Sequence, residues 1–362
     1  MTLQPMEDYF RDQVRIEART PDRMRASLTF TSDLQGPPEA AHGGGATAML
    51  FELVRVLLDE RGGRTCIPRP VRIEAILHRE LPLEVPLLGE VMAVNGGWHS
   101  RIRRGDRLIA EAHVRPTETP PPPVPPEVRR EWEASSGPAH EVPGYEFCLA
   151  CGLRNVRGTQ VRFDYNEALV WKRLVPRAHF RCADGSLYPG FLCIVGDEIG
   201  WWLGALRQGE CGLSNRVTVC LGQPVVHGVP LLILGARAEV TTTDPKGRVW
   251  QTRAGIVTPD WHPVASVEVQ FAGSRAFTKV MLPRFLPGDD PTAVRRVFPG
   301  YADPREASES AAGRKRSARG TSSSASRSYG FAFVLCSRVV TFLASRSRSW
   351  DATTLKSFAY AS

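Results

Sequence analysis

One pattern occurs twice in this chain, and a duplication of this length leaves few ways to fold. The first copy reads His42-Gly43-Gly44-Gly45-Ala46-Thr47-Ala48-Met49-Leu50-Phe51-Glu52. The second reads Tyr188-Pro189-Gly190-Phe191-Leu192-Cys193-Ile194-Val195-Gly196-Asp197-Glu198. Each is a turn of small residues that runs into an apolar helix and reaches an acidic position. Further landmarks keep step: Arg72-Ile73 and Val85-Pro86-Leu87-Leu88 recur as Arg216-Val217 and Val229-Pro230-Leu231-Leu232. Their offset is 144 residues, against 146 in the helix motif. Solenoid repeats run to about 20–50 residues, so this spacing implies a duplicated domain. At 362 residues the chain is long enough for two or three domains, each with its own core.

Composition places the boundaries. A first domain is expected over residues 1–115, a Pro-rich linker over 116–142, a second domain over 143–290 and a Ser/Arg-rich tail over 291–362. Residues 120–126 are almost all proline and read as a stiff extended spacer. From Glu306 onward about a quarter of the residues are Ser, and nine Lys/Arg face three Asp/Glu. The tail therefore carries +6 of the chain's net +8 and reads as disordered. The body is nearly neutral, which argues against a specific nucleic-acid partner. Residues 1–15 hold no apolar core of a secretory leader, and the apolar stretch over 329–345 is short and broken by Arg338, so no membrane span is expected. The eight cysteines form no dense framework, which predicts reduced thiols and a cytoplasmic location. Cys148-Leu149-Ala150-Cys151 has zinc-knuckle spacing, but no second Cys/His pair follows at ligand distance. A tetrahedral structural site needs four ligands, so no metal is expected.

Hydrophobic periodicity predicts the same order of elements in both copies. In the first, a strand over 25–30 precedes a helix from Gly45 to about Glu60, which Gly62-Gly63 ends. Strands over 71–77, 88–94 and 108–114 follow. In the second, a strand over 160–163 precedes a helix over about 191–206, stopped at Gly209. Strands over 216–221, 231–241, 249–258 and 264–271 come next. One long helix followed by an antiparallel run is an α+β pattern, in which each sheet wraps its own helix.

These residues resemble a known family. Gln35-Gly36-Pro37-Pro38 leading into His42-Gly43-Gly44, the acidic position in the helix and the strands that follow are similar to the hotdog-fold acyl thioesterases, particularly the phenylacetate-pathway type. The stretch from Cys148-Leu149-Ala150-Cys151-Gly152 through Asn155 to Gly158 resembles the Cys-x-x-Cys-Gly-x-x-Asn-x-x-Gly opening of many relatives, in which the cysteines are not a metal site. The likeness covers roughly 20–114 and 143–285. It implies two tandem hotdog domains that pair as an intramolecular pseudo-dimer, with further homo-oligomers plausible for the fold. It also implies an acyl-CoA or acyl-carrier thioester as substrate, with coenzyme A entering only as part of it and no separate cofactor. One feature departs from the family: the polar Asn or Gln about six residues before the histidine is Gly36 here, and Cys182 in the second copy. Gln35 substitutes if the loop shifts by one.

Thioester hydrolysis needs a group that activates water or attacks the carbonyl, and donors for the oxyanion that forms. In the family the carboxylate faces the glycine turn of the opposite partner. The implied site therefore joins Asp197, as base or nucleophile, to the Gly43 N–H as oxyanion donor and to His42, which orients the carbonyl. Gly44, Gln35 and Trp201 are the implied substrate-binding residues. The other pairing, Tyr188-Pro189-Gly190 with Phe51, has no base, so one site is expected to be live and the other decayed. Glu52 and Glu198 are expected to serve the interface between the copies. Arg101, Arg103 and Arg104, read as a turn, are candidates for the nucleotide end of coenzyme A. The alternative is a non-catalytic acyl-CoA or acyl-carrier binding module with a decayed site. A hydratase-type reading lacks that subgroup's Asp/His signature.

Overall fold

Two apolar helices organise the chain. The computed structural model describes residues 3–59, 67–135, 138–242, 244–285 and 290–300. The first half holds α1 (Met6–Asp12), β1 (Val14–Thr20), β2 (Arg23–Leu28), α2 (Gly43–Leu58), β3 (Val71–Leu77), β4 (Leu87–Val94), β5 (Gly97–Arg104) and β6 (Arg107–Pro116). A short helix, α3 (Pro126–Ala134), follows. The second half holds β7 (His140–Glu141), β8 (Asp164–Tyr165), β9 (Leu169–Leu174), α4 (Pro189–Gln208), β10 (Gly212–Leu221), β11 (Leu231–Ala236), β12 (Thr241–Thr242), β13 (Val249–Val257) and β14 (Pro263–Gly273). Two helices, α5 (Arg275–Phe285) and α6 (Pro291–Val297), close the described chain.

The strands form one sheet whose order runs β1-β2-β4-β5-β6-β3 and then β10-β14-β13-β11-β9-β8-β7. The two halves are read in opposite directions from the β3–β10 seam: β3-β6-β5-β4-β2 on one side, β10-β14-β13-β11-β9 on the other. The helix precedes the seam strand in each, so the topology repeats as the sequence repeats. The seam is antiparallel and pairs Val217 with Ala75 and Val219 with Ile73. Those are the strands that carry the repeated Arg-Ile and Arg-Val landmarks.

Helix α2 is buried along nearly its whole length because its apolar stripe (Met49, Leu50, Leu53, Val54 and Leu57) is wide enough to face the sheet and α4 together. Helix α4 achieves close contact differently. Gly196, Gly200 and Gly204 recur every four residues on the face toward β14, where a Cβ would collide with Val267, Val269 and Phe271. Helix-interior glycine costs about 0.5–1 kcal/mol against alanine, and here the return is direct helix-on-strand packing. Gly209 ends α4 in the left-handed region, at φ 67°, as its position in the sequence predicts. The expected stop at Gly62-Gly63 lies outside the described residues; α2 ends at Leu58.

Several sequence expectations are corrected. Arg101, Arg103 and Arg104 lie on β5 rather than on a turn. That strand carries three arginines among its eight residues, which masks its strand character in the sequence. Residues 160–163 are not a strand: Gln160 sits at φ 54° in a loop whose Val161 and Phe163 are buried without strand pairing of their own. The strand expected over 231–241 stops at Ala236, where a short 3-10 turn (Arg237–Glu239) intervenes before β12. Within the Pro-rich segment, Pro126 sits in the first turn of α3. Residues 291–297, expected to belong to the tail, form α6, which packs inward through buried Val294 and Val297, and Phe298 beyond it lies against Trp201 and Trp202. Residues 301–362 lie outside the described residues. No helix among the described residues is long and apolar enough to cross a membrane.

An acid-sensitive contact ties β5 and β6 to the residue that follows β3. Glu111 on β6 accepts from His78 Nε2 at 3.0 Å and from His99 Nε2 at 2.9 Å, and His99 stacks on His113. The hydrogen bond from His78, followed by that from His99, holds the Glu111 carboxyl down to about 2. A depressed folded-state value stabilises the fold above the unfolded carboxylate range and loses that contribution as pH falls through the folded value. Wild type is therefore expected to lose more stability than Glu111→Gln between about pH 5 and pH 2, measured by urea denaturation across that range.

Candidate active site

The N-terminus of α2 meets the middle of α4. His42 is the N-cap, and its Nδ1 accepts from Gly44 N–H at 3.0 Å and from Gly45 N–H at 3.4 Å. Because Nδ1 is an acceptor, Nε2 carries the proton, and it donates to Glu198 Oε2 at 3.0 Å. Glu198 Oε1 accepts in turn from Trp202 Nε1 at 2.8 Å. His42 thus holds the glycine turn from one side and the acid on α4 from the other.

Asp197 closes the arrangement across the two halves. Its Oδ2 accepts from Gly44 N–H at 2.7 Å and lies 3.5 Å from His42 Nδ1. Its Oδ1 is buried with no hydrogen-bond partner, and so is the Ser214 hydroxyl. Both residues line one cavity of about 1190 Å³. Burial pushes the Asp197 carboxyl upward, and the opposing influence of His42, Ser214 and the Gly44 N–H does not cancel it. Gly43, also on the cavity wall, has an N–H with no hydrogen bond among the described residues.

The glycines are dictated by the helix crossing. A Cβ on Gly44 would lie 2.5 Å from Cys193 O and 2.7 Å from Ile194 Cα, both backbone atoms of α4. A Cβ on Gly45 would meet only the Leu149 side chain, at 2.9 Å. Gly44→Ala is therefore expected to cost about 1–3 kcal/mol through overpacking. Gly45→Ala should cost distinctly less, because a leucine rotamer can yield; chemical denaturation of the two variants makes the comparison.

The remaining expected residues divide. Trp201 lines the cavity and anchors its Nε1 on Gly212 O at 2.8 Å. Gln35 is not on the cavity wall: its amide donates to the Tyr145 hydroxyl at 3.0 Å, and Tyr145 is the residue that faces the cavity. Gly44 is also not on the wall, since its N–H is committed to Asp197 and His42. Gly36 cannot carry the family's polar side chain, because a Cβ there would lie 2.7 Å from His42 Cα. The arginines on the cavity wall are Arg79, Arg107, Arg216 and Arg248, not those of β5. Composition gave no cue to these four; they converge only when β3, β10 and the β13 end of the sheet come together.

Cys148 and Cys151 also reach this cavity, and among the described residues the six cysteines are free. Burial opposes a charged Cys148, but the Cys151 thiol and His42 overcome it and bring Cys148 down to about 6, while Cys151 is pushed upward.

The pseudo-equivalent position is built differently. Tyr188 replaces His42, and its hydroxyl donates to Glu52 Oε2 at 3.4 Å, as His42 does to Glu198. The Tyr188 ring is fully buried and occupies the space over Gly190. Glu52 is bound by Arg11 Nε at 2.8 Å and Arg55 Nη1 at 2.7 Å; Arg55 also binds Glu7, and Arg11 binds Asp59. A buried ion network anchored by α1 stands where the other half has a cavity. The ion pairs of Glu52 lie within the first half, and the Tyr188 hydroxyl is its contact to the second.

No protein-family model matches the chain, and no curated protein matches it. Solved structures do. A pyran synthase domain from module nine of the sorangicin pathway is 11% identical at a TM-score of 0.50, covering 72% of this chain and 97% of its own. The tesB protein MAP1729c of Mycobacterium avium subs paratuberculosis is 11% identical at a TM-score of 0.49, over 74% of this chain and 99% of its own. A hot dog fold protein from Alicyclobacillus acidocaldarius is 11% identical at 0.44, over 74% and 98%. Identities this low bear on the fold alone. Two apolar helices, each wrapped by an antiparallel half of one sheet, are the hotdog arrangement, and the pyran synthase domain shares this chain's fold.

Proposed function

We propose that the chain hydrolyses an acyl thioester at one site built from both halves, with Asp197 as general base. The observation that carries this reading is the divided role of the Asp197 carboxylate. Oδ2 is fixed by Gly44 N–H, while Oδ1 is buried, unpartnered and on a large cavity. A buried acceptor without a partner is costly, and Oδ1 with the nearby Ser214 hydroxyl offers polar groups to a water entering from the cavity.

The steps follow from these groups. Asp197 accepts a proton as that water adds to the thioester carbonyl carbon. The oxyanion is met by the Gly43 N–H at the positive end of α2. Collapse of the tetrahedral intermediate breaks the carbon–sulfur bond, and the proton on Asp197 returns to the departing thiolate. His42 acts as a positioning residue, holding the glycine turn and Glu198. Trp201 and Leu77 provide apolar wall for the acyl chain, and Arg79, Arg107, Arg216 and Arg248 suit the phosphates of coenzyme A. The Tyr188 position, filled by its ring and by the Glu52 network, takes no part.

The test is thiol release from short, medium, long and aromatic acyl-CoAs by wild type and Asp197→Asn. Release by wild type that is lost in a folded variant supports the reading. Tight acyl-CoA binding with no release by either protein would assign the chain to the non-catalytic binding class instead.

A further inference from the structure

Cys148 and Cys151 have no role in the hydrolytic steps, yet both are buried residues on the cavity wall. The turn that carries them is held from several sides. Gly152 N–H donates to Cys148 O at 3.0 Å, closing an α-turn around the pair. A Cβ on Gly152 would lie 2.4 Å from Cys148 O, so the turn requires glycine to close this tightly. The two residues between the thiols are fixed as well. Leu149 N–H donates to Gln35 O at 2.6 Å, and Ala150 O accepts from Val161 N–H at 2.9 Å and from the Thr159 hydroxyl at 2.8 Å. An α-turn sets Cα atoms three residues apart at about 5 Å, inside the span of about 4.4–6.8 Å that a disulfide bridges. We infer that Cys148 and Cys151 form a peroxide-reactive dithiol, in which hydrogen peroxide oxidises Cys148 first and Cys151 then closes a disulfide with it.

The two thiols stand in different surroundings, and the difference sets their order. Ala150 N–H donates to Cys148 Sγ at 3.3 Å, and the Cys151 thiol donates to the same sulfur. One side-chain atom each of His42 and Glu198 lies within 4.8 Å of it. Burial opposes a thiolate at Cys148, but the Cys151 thiol and then His42 outweigh it and bring Cys148 down to about 6. Its bond to Cys148, together with burial, pushes Cys151 upward, so that thiol keeps its proton until it reacts. The thiolate is the form that peroxide oxidises. Cys148 sulfur takes one peroxide oxygen as the O–O bond breaks, giving a sulfenic acid and a hydroxide, which gains the proton that Cys148 lost on ionising. Cys151 sulfur then attacks the Cys148 sulfur, and its proton leaves with the displaced hydroxyl as water. Two electrons pass from the thiols to the peroxide, one S–S bond forms and two waters depart. The cavity, about 1190 Å³, gives so small an oxidant its route to both sulfurs. Other buried cysteines lack this setting: burial pushes Cys182 and Cys193 up to about 12, and Cys211 upward too. The new bond removes negative charge from beside His42, the residue that holds the glycine turn. None of this depends on the hydrolytic reading, since a dithiol on the cavity wall serves an enzyme and a binding module alike.

The full chain, fully reduced, is exposed to hydrogen peroxide, then unfolded, alkylated and read by peptide mass. The expected result is a peptide holding both Cys148 and Cys151 unalkylated and about 2 Da lighter than its dithiol form, reversed by dithiothreitol. Cys151→Ser should stop at the sulfenic acid, which dimedone captures on Cys148, whereas Cys148→Ser should leave Cys151 unoxidised at the same dose. Cys220→Ser, at a half-exposed strand position, should close the disulfide at the wild-type rate. Full alkylation of both cysteines in peroxide-treated wild type overturns the inference. So does dimedone capture at Cys151 in Cys148→Ser as fast as capture at Cys148 in Cys151→Ser. If the serine variants do not fold, iodoacetamide labelling of native wild type decides the order. Cys148 should label at least about tenfold faster than Cys151 at neutral pH, with a pH midpoint of about 6, and equal rates overturn the assignment. No readout involves thioester turnover, so failure of the dithiol and failure of the hydrolase reading are separate results.

Discussion

Asp197→Asn is expected to lower thioester hydrolysis by about 10²–10⁴-fold, the usual contribution of a positioned general base, while leaving the fold intact. The structure argues for both halves of that statement. Asparagine keeps a carbonyl oxygen to accept the Gly44 N–H, now 2.7 Å from Oδ2, so the junction of α2 and α4 is preserved. What it cannot do is accept a proton through the atom facing the cavity, where Oδ1 now stands without a partner. Because a buried carboxylate is exchanged for a neutral amide, denaturation should show unchanged or increased stability. A fall in release with an unchanged denaturation midpoint is the signature expected. Release that survives the substitution removes Asp197 from the mechanism.

Glu52→Gln should have the opposite signature: a large loss of stability, about 3–5 kcal/mol, with little direct effect on chemistry in the protein that remains folded. Glu52 is fully buried and receives two guanidinium groups, Arg11 and Arg55, together with the Tyr188 hydroxyl. Arg55 is held above its ordinary value: burial works against its charge, and Glu52 leads the groups that outweigh that penalty. Removing the carboxylate leaves buried positive charge without its main counter-charge. Breaking such a pair costs far more than a surface salt bridge, whose typical worth is about 0–1 kcal/mol. Urea denaturation at neutral pH gives the size, and thiol release measured below the transition shows whether the other half's site is untouched.

The contrast between Asp197 and Glu52 shows how two copies of one motif diverged. Where the second copy has Asp197, the first has Phe51, which is buried in the core. Where the first copy has His42, the second has Tyr188, whose ring fills its own glycine turn. One position keeps a cavity and an unpartnered acid. The other is filled and neutralised by charges that α1 brings.

Much of this was legible along the chain. The repeated His/Tyr, Gly and acid landmarks gave two helices and two like sets of strands, because burying one face of each imposes a periodicity that is local in sequence. Gly209 was readable as a helix stop because only the chain's own φ decides it. Strand β5 was obscured by its arginines, and β1 was missed although Val14, Ile16 and Ala18 alternate with charged residues, because nearly all of it is exposed. Nor was the glycine stripe of α4 assigned to β14, which follows it only after an intervening sheet crossing. Asp197 and the glycine turn could be nominated from residue type and resemblance. That the N–H reaching Asp197 belongs to Gly44, that Gln35 turns to Tyr145, and that Cys148 and Cys151 stand beside His42 and Glu198 were decided by tertiary structure alone. Those contacts join segments 47 to 153 residues apart, and their direction is set by how two helices cross, a geometry that no local pattern of residues encodes.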